Sequence, residues 1–206
     1  MPSGKKVVYG VWEDARFIGV VIFSRGPGPQ IGRPFGLEQT AVCELSRIAL
    51  RDHKTPVTRV VSIALRLLRK LCPGLRAVVS FADPEQGRHG GIYQAGNWYF
   101  IGVSHSLAHY VVGGTEVHNR AVMEAIRPMR RAGDSRPMIE TVREYYRGSE
   151  VVERRNTPRY KYVYPLDEQL RVMLEGMRKQ PPDRLVAPVV GKQTATRCRI
   201  PNAAEA

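Results

Sequence analysis

The chain is poor in cysteine and poor in acid, and no stretch of it is long and apolar enough to cross a bilayer. Cys43, Cys72 and Cys198 are its only cysteines. They are odd in number and far apart, which excludes a disulfide framework and a zinc site of paired CxxC type. No apolar run approaches the roughly 20 residues a spanning helix needs, and no charged-then-apolar leader opens the chain. The expectation is a soluble protein of the cytoplasm, with no membrane partner. Acids number 19 against 32 lysines and arginines, a formal net charge of +13, and such an excess points to nucleic acid or another polyanion. No internal repeat is present. At 206 residues, 43% hydrophobic and 25% charged, the composition is otherwise ordinary, and the length suits one core.

The richest stretch is residues 75–98, LRAVVSFADPEQGRHGGIYQAGNW. Ala77-Val78-Val79 with Phe81 reads as a strand covered on both faces, and Asp83-Pro84 stops it because proline donates nothing to a ladder. A glycine-rich loop then leads into aromatic residues. Ligands in open α/β sheets sit at the carboxyl ends of central strands, so Ser80, Asp83, His89, Tyr93, Asn97 and Trp98 are the first site candidates.

Residues 6–11 and 17–23 read as a β-hairpin turning at Glu13-Asp14-Ala15-Arg16. Glycine and proline are so dense over residues 25–36 that this segment reads as an inert loop without regular structure. Residues 41–50, AVCELSRIAL, alternate as a strand whose period slips once, as a bulge would make it, and Glu44 and Arg47 flank the slip. The clearest helix follows: Thr55 as N-cap, Pro56 at the first position, an apolar stripe from Val57 to Leu71, and a stop at Pro73-Gly74. Its other side carries Arg59, Ser62, Arg66, Arg69 and Lys70. From residue 47 to residue 76 there are eight Lys or Arg against Asp52 alone. That imbalance favours a bound polyanion over a merely solvated face, and the amides at the helix start add an anion site.

Residues 99–103 and 110–112 read as short strands. His105 and His109 between them have helical metal-ligand spacing, but their Ser, Gly and β-branched neighbours argue against a helix, so no metal is expected. Residues 115–150 read as a basic helical insertion that presents arginines, Arg131 among them, to phosphate. In RYKYVYPL (residues 159–166), Tyr160, Tyr162 and Tyr164 share one face of a strand, and residues 166–177 form a short amphipathic helix. Residues 1–178 are thus read as one domain with this insertion, and residues 179–206 as a loose basic tail.

ELSRIAL (44–50), SIALRLLRK (62–70), VSFADPEQGRHGGIYQAGNW (79–98) and RYKYVYPL together resemble the Mom proteins of Mu-like bacteriophages. The resemblance implies a GNAT-like acyltransferase fold, α/β (α+β), with a central mixed sheet and helices on both faces. It also implies an anti-restriction enzyme that converts adenine in double-stranded phage DNA to N6-carbamoylmethyladenine. On that footing Asp83, Tyr93, Ser80 and Glu44 are expected to be catalytic, with Asp83 accepting the amino proton. Arg47, Arg59, Arg66, His89, Asn97, Trp98, Arg131, Tyr160 and Tyr162 are expected on the DNA and the extruded base. A donor is expected at Ser46, His53, Lys54, Thr55, Arg59 and Ser62. The turn at residues 51–59 lacks the glycines with which GNAT enzymes approach the coenzyme A pyrophosphate, so acetyl-CoA and an aminoacyl-tRNA, the latter a glycyl donor, both stay open. An N-acetyltransferase of the same fold and a non-enzymatic DNA-binding module are the rival functions.

Overall fold

Strand β1 (Lys6–Glu13) turns into β2 (Arg16–Ser24) through Asp14 and Ala15, whose φ values of 50° and 62° are both left-handed. Two such residues make the tight turn whose twist matches antiparallel strands. A computed structural model of the chain describes residues 6–104, 108–155 and 157–183. Within them, β2 pairs antiparallel with β3 (Val42–Leu50), and helix α1 (Val57–Leu71) carries the chain over to β4 (Ala77–Ala82), parallel to β3. After the five-residue helix α2 (Gly91–Ala95) comes β5 (Tyr99–Val103), and the late strand β9 (Tyr160–Pro165) inserts between β4 and β5, antiparallel to both. The main sheet therefore runs β1-β2-β3-β4-β9-β5.

Both faces of this sheet are covered. The apolar stripe of α1, with Val60, Val61, Ala64, Leu65 and Leu68, packs on Val21, Phe23, Leu45 and Val78. On the other face, Leu170 and Leu174 of helix α5 (Glu168–Met177), capped by Asp167, pack on Ala77, Val79 and Val163. The glycine- and proline-rich loop corrects its expected role. It forms a short 3-10 turn at Arg33–Phe35, and Ile31 and Phe35 are buried in the α5-side core, with the Lys161 ammonium 5.1 Å from the Phe35 ring. Two large side chains anchor it, so it plugs the core rather than merely connecting.

The arginine-rich segment differs from a purely helical insertion. β6 (Ala108–Val112) pairs with β7 (Thr115–Val117) and with β8 (Val151–Arg155), a second three-stranded sheet covered by α3 (Asn119–Arg131) and α4 (Met138–Tyr145). Tyr110, Val117, Val122, Ile126, Val142 and Val151 form its own core. Thr115–Val117 was expected to open a helix. Its backbone pairs with β6 instead, and His118 caps the helix that follows by accepting from the Arg120 N–H.

Candidate active site

Parallel pairing between β3 and β4 extends over three residue pairs and ends at Glu44 and Val79. Beyond that point β3 continues to Leu50 beside β2, while β4 continues to Ala82 beside β9, so two neighbouring strands part at their carboxyl ends. The slip in the pattern of β3 is a real bulge. Leu45 faces Phe23 and Arg47 faces Ile22, leaving Ser46 unpaired with its hydroxyl donating to the Ile22 carbonyl at 3.1 Å. Exposed backbone at a strand divergence is a place where a ligand can compete for hydrogen bonds.

Ser80 bridges the fork. Its hydroxyl donates to the Leu45 carbonyl at 2.8 Å and lies 2.7 Å from the Tyr93 hydroxyl. A serine has one proton to give, so Tyr93 is the donor in the second bond. Burial pushes the Tyr93 phenol above its ordinary range, and the nearby Glu44 charge adds to the rise while Ser80 and Arg88 oppose it. Tyr93 is therefore held protonated. Glu44 stands at the last β3–β4 pair and directly across from Ser24, whose buried hydroxyl has no partner among the described residues. Burial raises the Glu44 carboxyl above the ordinary carboxylate range and the Arg159 charge pulls against it. A desolvated carboxyl whose charge is felt by a protonated phenol and countered by a guanidinium is an arrangement that can serve acid–base chemistry.

Asp83 is otherwise engaged. Its carboxylate accepts the Glu85 N–H at 3.0 Å and lies 3.5 Å from the Arg159 guanidinium. Next to it, Glu85 accepts both the N–H and the hydroxyl of Thr157, which lower its carboxyl below the usual range, the hydroxyl most. Arg159 is itself tied by its backbone to Ser104, at 2.7 and 2.9 Å. Asp83, Glu85, Thr157 and Arg159 thus lash the loop after β4 to the approach of β9. Arg88, Arg159 and this clamp are not legible in the sequence, because the contacts that close it, from Arg159 to Asp83 and Ser104 and from Thr157 to Glu85, join residues distant along the chain.

Several expected base-binding residues are placed differently. Trp98 and Tyr162 are 5% and 0% exposed, and their rings pack against Tyr93 at 5.1 Å each, so core rings rather than a base cover them. The Tyr162 hydroxyl donates to the His89 carbonyl at 2.7 Å, which fixes the backbone of His89 and leaves its ring half-buried beside Gly91. Gly90 between them has φ 84°, and a Cβ there would lie 2.3 Å from the Tyr162 ring. Only glycine fits. Asn97 is exposed, its φ of 59° serving the turn into β5, and Tyr160 is half-buried against Phe100. Arg47 is exposed on β3 and Arg66 on α1, while Arg131 ends α3 in the second unit. His105 lies outside the described residues, and His109 is 3.7 Å from Glu116.

The expected donor residues His53, Lys54, Thr55, Arg59 and Ser62 do gather at the start of α1, with Ser46 apart at the bulge. Their anion site already holds an anion. The Glu13 carboxylate accepts from the backbone N–H groups of Lys54 and Thr55 at 2.9 and 2.7 Å and from the Thr55 hydroxyl at 2.5 Å. These bonds, the Thr55 hydroxyl first, hold Glu13 down at about 2. Thr55 spends its hydroxyl on Glu13 rather than capping the helix, which begins one residue later than expected.

The profile of the Mom protein family matches residues 1–183, and the chain belongs to that family. One curated relative is the methylcarbamoylase Mom of Escherichia phage Mu, 36% identical over 122 residues, a stretch that makes up 57% of this chain and 50% of the phage protein. The chain thus spans about half the length of that relative.

Proposed function

We propose that this chain is a GNAT-like transferase that modifies the exocyclic amino group of adenine in phage or prophage DNA, to N6-carbamoylmethyladenine, and so shields that DNA from restriction inside a bacterial host. The observation that carries the reading is the fork between β3 and β4, with Glu44, Ser80 and Tyr93 at its apex, in a chain of the Mom family. The order hairpin, strand, long helix, strand, helix, strand supports the GNAT-like assignment, and the name of the phage Mu relative supports the methylcarbamoyl chemistry.

The role of base passes from Asp83 to Glu44. Asp83 is engaged by Glu85 and Arg159, whereas Glu44 is desolvated and its raised pKa favours proton uptake. The carbamoylmethyl linkage joins the adenine nitrogen to a methylene carbon. That nitrogen therefore forms its bond to an electrophilic methylene of the donor, the bond from that carbon to its leaving group breaks, and Glu44 takes the amino proton. Tyr93, held protonated, turns its hydroxyl proton from Ser80 to the departing group and donates it there. The target base is extruded into the fork, since a paired base does not expose its amino group to side chains at that depth.

The test is mass spectrometry of nucleosides from cells expressing the chain, with isotope-labelled glycine or acetate supplied. A modified deoxyadenosine carrying the glycine label is expected. An acetate label would reassign the donor to coenzyme A chemistry, and unmodified adenine in several competent hosts would leave a DNA-binding module as the better account.

A further inference from the structure

The two edges of the main sheet are finished differently. At the β5 edge the chain covers itself, since the Lys179 N–H donates to the Phe100 carbonyl at 2.9 Å and the Gln94 amide donates to the Pro182 carbonyl at 3.5 Å. At the β1 edge no described residue pairs with the strand. β1 is eight residues long, contains no proline and is not itself bulged, because the extra residue at its register slip is Ile18 of β2. Its single lysine, Lys6, stands at the very start. Sheets protect open edges with short strands, prolines, bulges or charges, and the middle of this edge has none of them.

Apolar side chains continue past the edge in both layers. On the α1 side Val7, Tyr9 and Val11 pack on the core, and the flank of α1 beside them carries Ile63 and Leu67, 40% and 44% exposed. Tyr9, Val11, Ile63 and Leu67 border an open groove of about 410 Å³. On the opposite face of the hairpin Val8 and Trp12 are 54% and 62% exposed. The indole lies on bare Gly10, where a Cβ would come within 2.3 Å of it, and meets Phe17 edge-on at 5.2 Å. So many open apolar groups around one unpaired strand mark a surface that another chain covers.

We propose that a second copy of this chain covers it, the two β1 strands pairing antiparallel about a two-fold axis normal to the sheet. Such an axis keeps each face of the sheet continuous, so residues that pair share a face. With Tyr9 opposite its own counterpart, Val7 meets Val11 of the second copy, and Val8 meets Gly10, which sets Val8 against the indole resting there. Lys6 comes opposite that same Trp12 and supplies a cation for its ring. The two α1 helices run antiparallel above the seam, and Ile63 and Leu67 of each enter the groove of the other. An extended peptide would satisfy the strand but leave Ile63 and Leu67 in water, whereas the edge of this chain brings strand and helix at matching heights. Arg59 and Lys70, exposed four residues before Ile63 and three after Leu67, stay in solvent at the top of the seam and face their own copies. Their repulsion has a readable sign, for salt screens it and the pair tightens as ionic strength rises. This pairing does not depend on the function proposed above.

The experiment is sedimentation velocity of the full chain over a range of protein and salt concentrations, with hydrogen exchange read at the β1 amides. A monomer–dimer equilibrium that tightens with salt is expected, and amides within residues 7–11 should exchange more slowly as protein concentration rises. Leu67→Glu and Ile63→Glu, each at an exposed position, are expected to weaken the dimer at least about thirtyfold, and Trp12→Ala about tenfold. Val172→Glu, at an exposed apolar position on α5, should leave it unchanged. A monomer at every concentration, a dimer that loosens with salt, or a dimer untouched by Leu67→Glu and Ile63→Glu alike would overturn the proposal. So would β1 amides already fully protected at the lowest concentration, since the edge would then be covered within one chain.

Discussion

Two parts of the molecule are rich in arginine, and they use it differently. From residue 47 to residue 76 eight cations face Asp52 alone, and among the described residues only Lys54 and Arg76 of these find acids, at Asp14 and Asp167. From residue 119 to residue 155 nine arginines share the segment with six acids, and Arg127, Arg136 and Arg147 pair with Glu124, Asp134 and Glu144. Arg130 donates to the Asp134 carbonyl. Counting arginines makes the two regions look alike. Counting the charge left unneutralised separates them. The second spends much of its charge inside its own small fold.

The largest effects should come from the fork. Tyr93→Phe is expected to lower modification by about 10²- to 10⁴-fold with DNA affinity kept, measured as modified nucleoside per enzyme alongside a binding isotherm. The same size of loss from Arg131→Ala, in the second unit, would break the comparison. Glu44→Gln should follow closely, and pH sharpens the assignment. Glu44 must be ionised to act and its pKa is raised by burial, so the acid limb of kcat/KM should lie above the ordinary carboxylate range, and Arg159→Ala, by removing the opposing charge, should move it higher still. The stability sign agrees. A raised carboxyl favours the folded state when protonated, a contribution present below the unfolded pKa and lost as pH rises through the folded one, so Glu44→Gln should gain thermal stability relative to the unaltered chain as pH increases.

Next come the charges. Arg66, Arg69 and Lys70 changed together to alanine should reduce the salt slope of DNA binding by about three. Replacing Arg127, Arg136 and Arg147 should reduce it far less, since those three already have acid partners. Equal slopes would erase the distinction between the regions. The smallest test is backbone geometry. Gly90 and Gly133 both have positive φ, 84° and 94°, but only Gly90 has a ring against it. Gly133→Ala should cost about 1–3 kcal/mol by denaturant unfolding. Gly90→Ala should cost more because Tyr162 must also move.

The strands and helices that pack on the main sheet were legible because each carries a single dominant pattern. The hairpin, the bulged β3, the stripe of α1 and the apolar run of β4 are all local signals, and the one-face reading of Tyr160, Tyr162 and Tyr164 also holds. Which neighbours those tyrosines would have was not legible, so rings expected on a base turned out to be packed on one another. β8 escaped notice because Val151-Val152 is followed at once by Glu153-Arg154-Arg155, and its partner β6 lies some forty residues away. The fork followed the same division. Ser80, Tyr93 and Glu44 could be nominated from a strand end and a slipped period, but the clamp of Arg159 on Asp83 and the bond from Glu13 to Thr55 exist only once the chain has folded.

That last bond makes the hairpin tip a resident competitor. A carboxylate tethered through β1 cannot diffuse away, and with its pKa near 2 it stays charged at any pH the chain meets in a cell. Any phosphorylated molecule docking on the turn before α1 must therefore displace a covalently attached rival, and its apparent affinity is reduced by the fraction of time that rival is in place. A phosphorylated molecule at that turn would be held weakly and exchangeably, and Glu13→Gln is the change expected to tighten its hold.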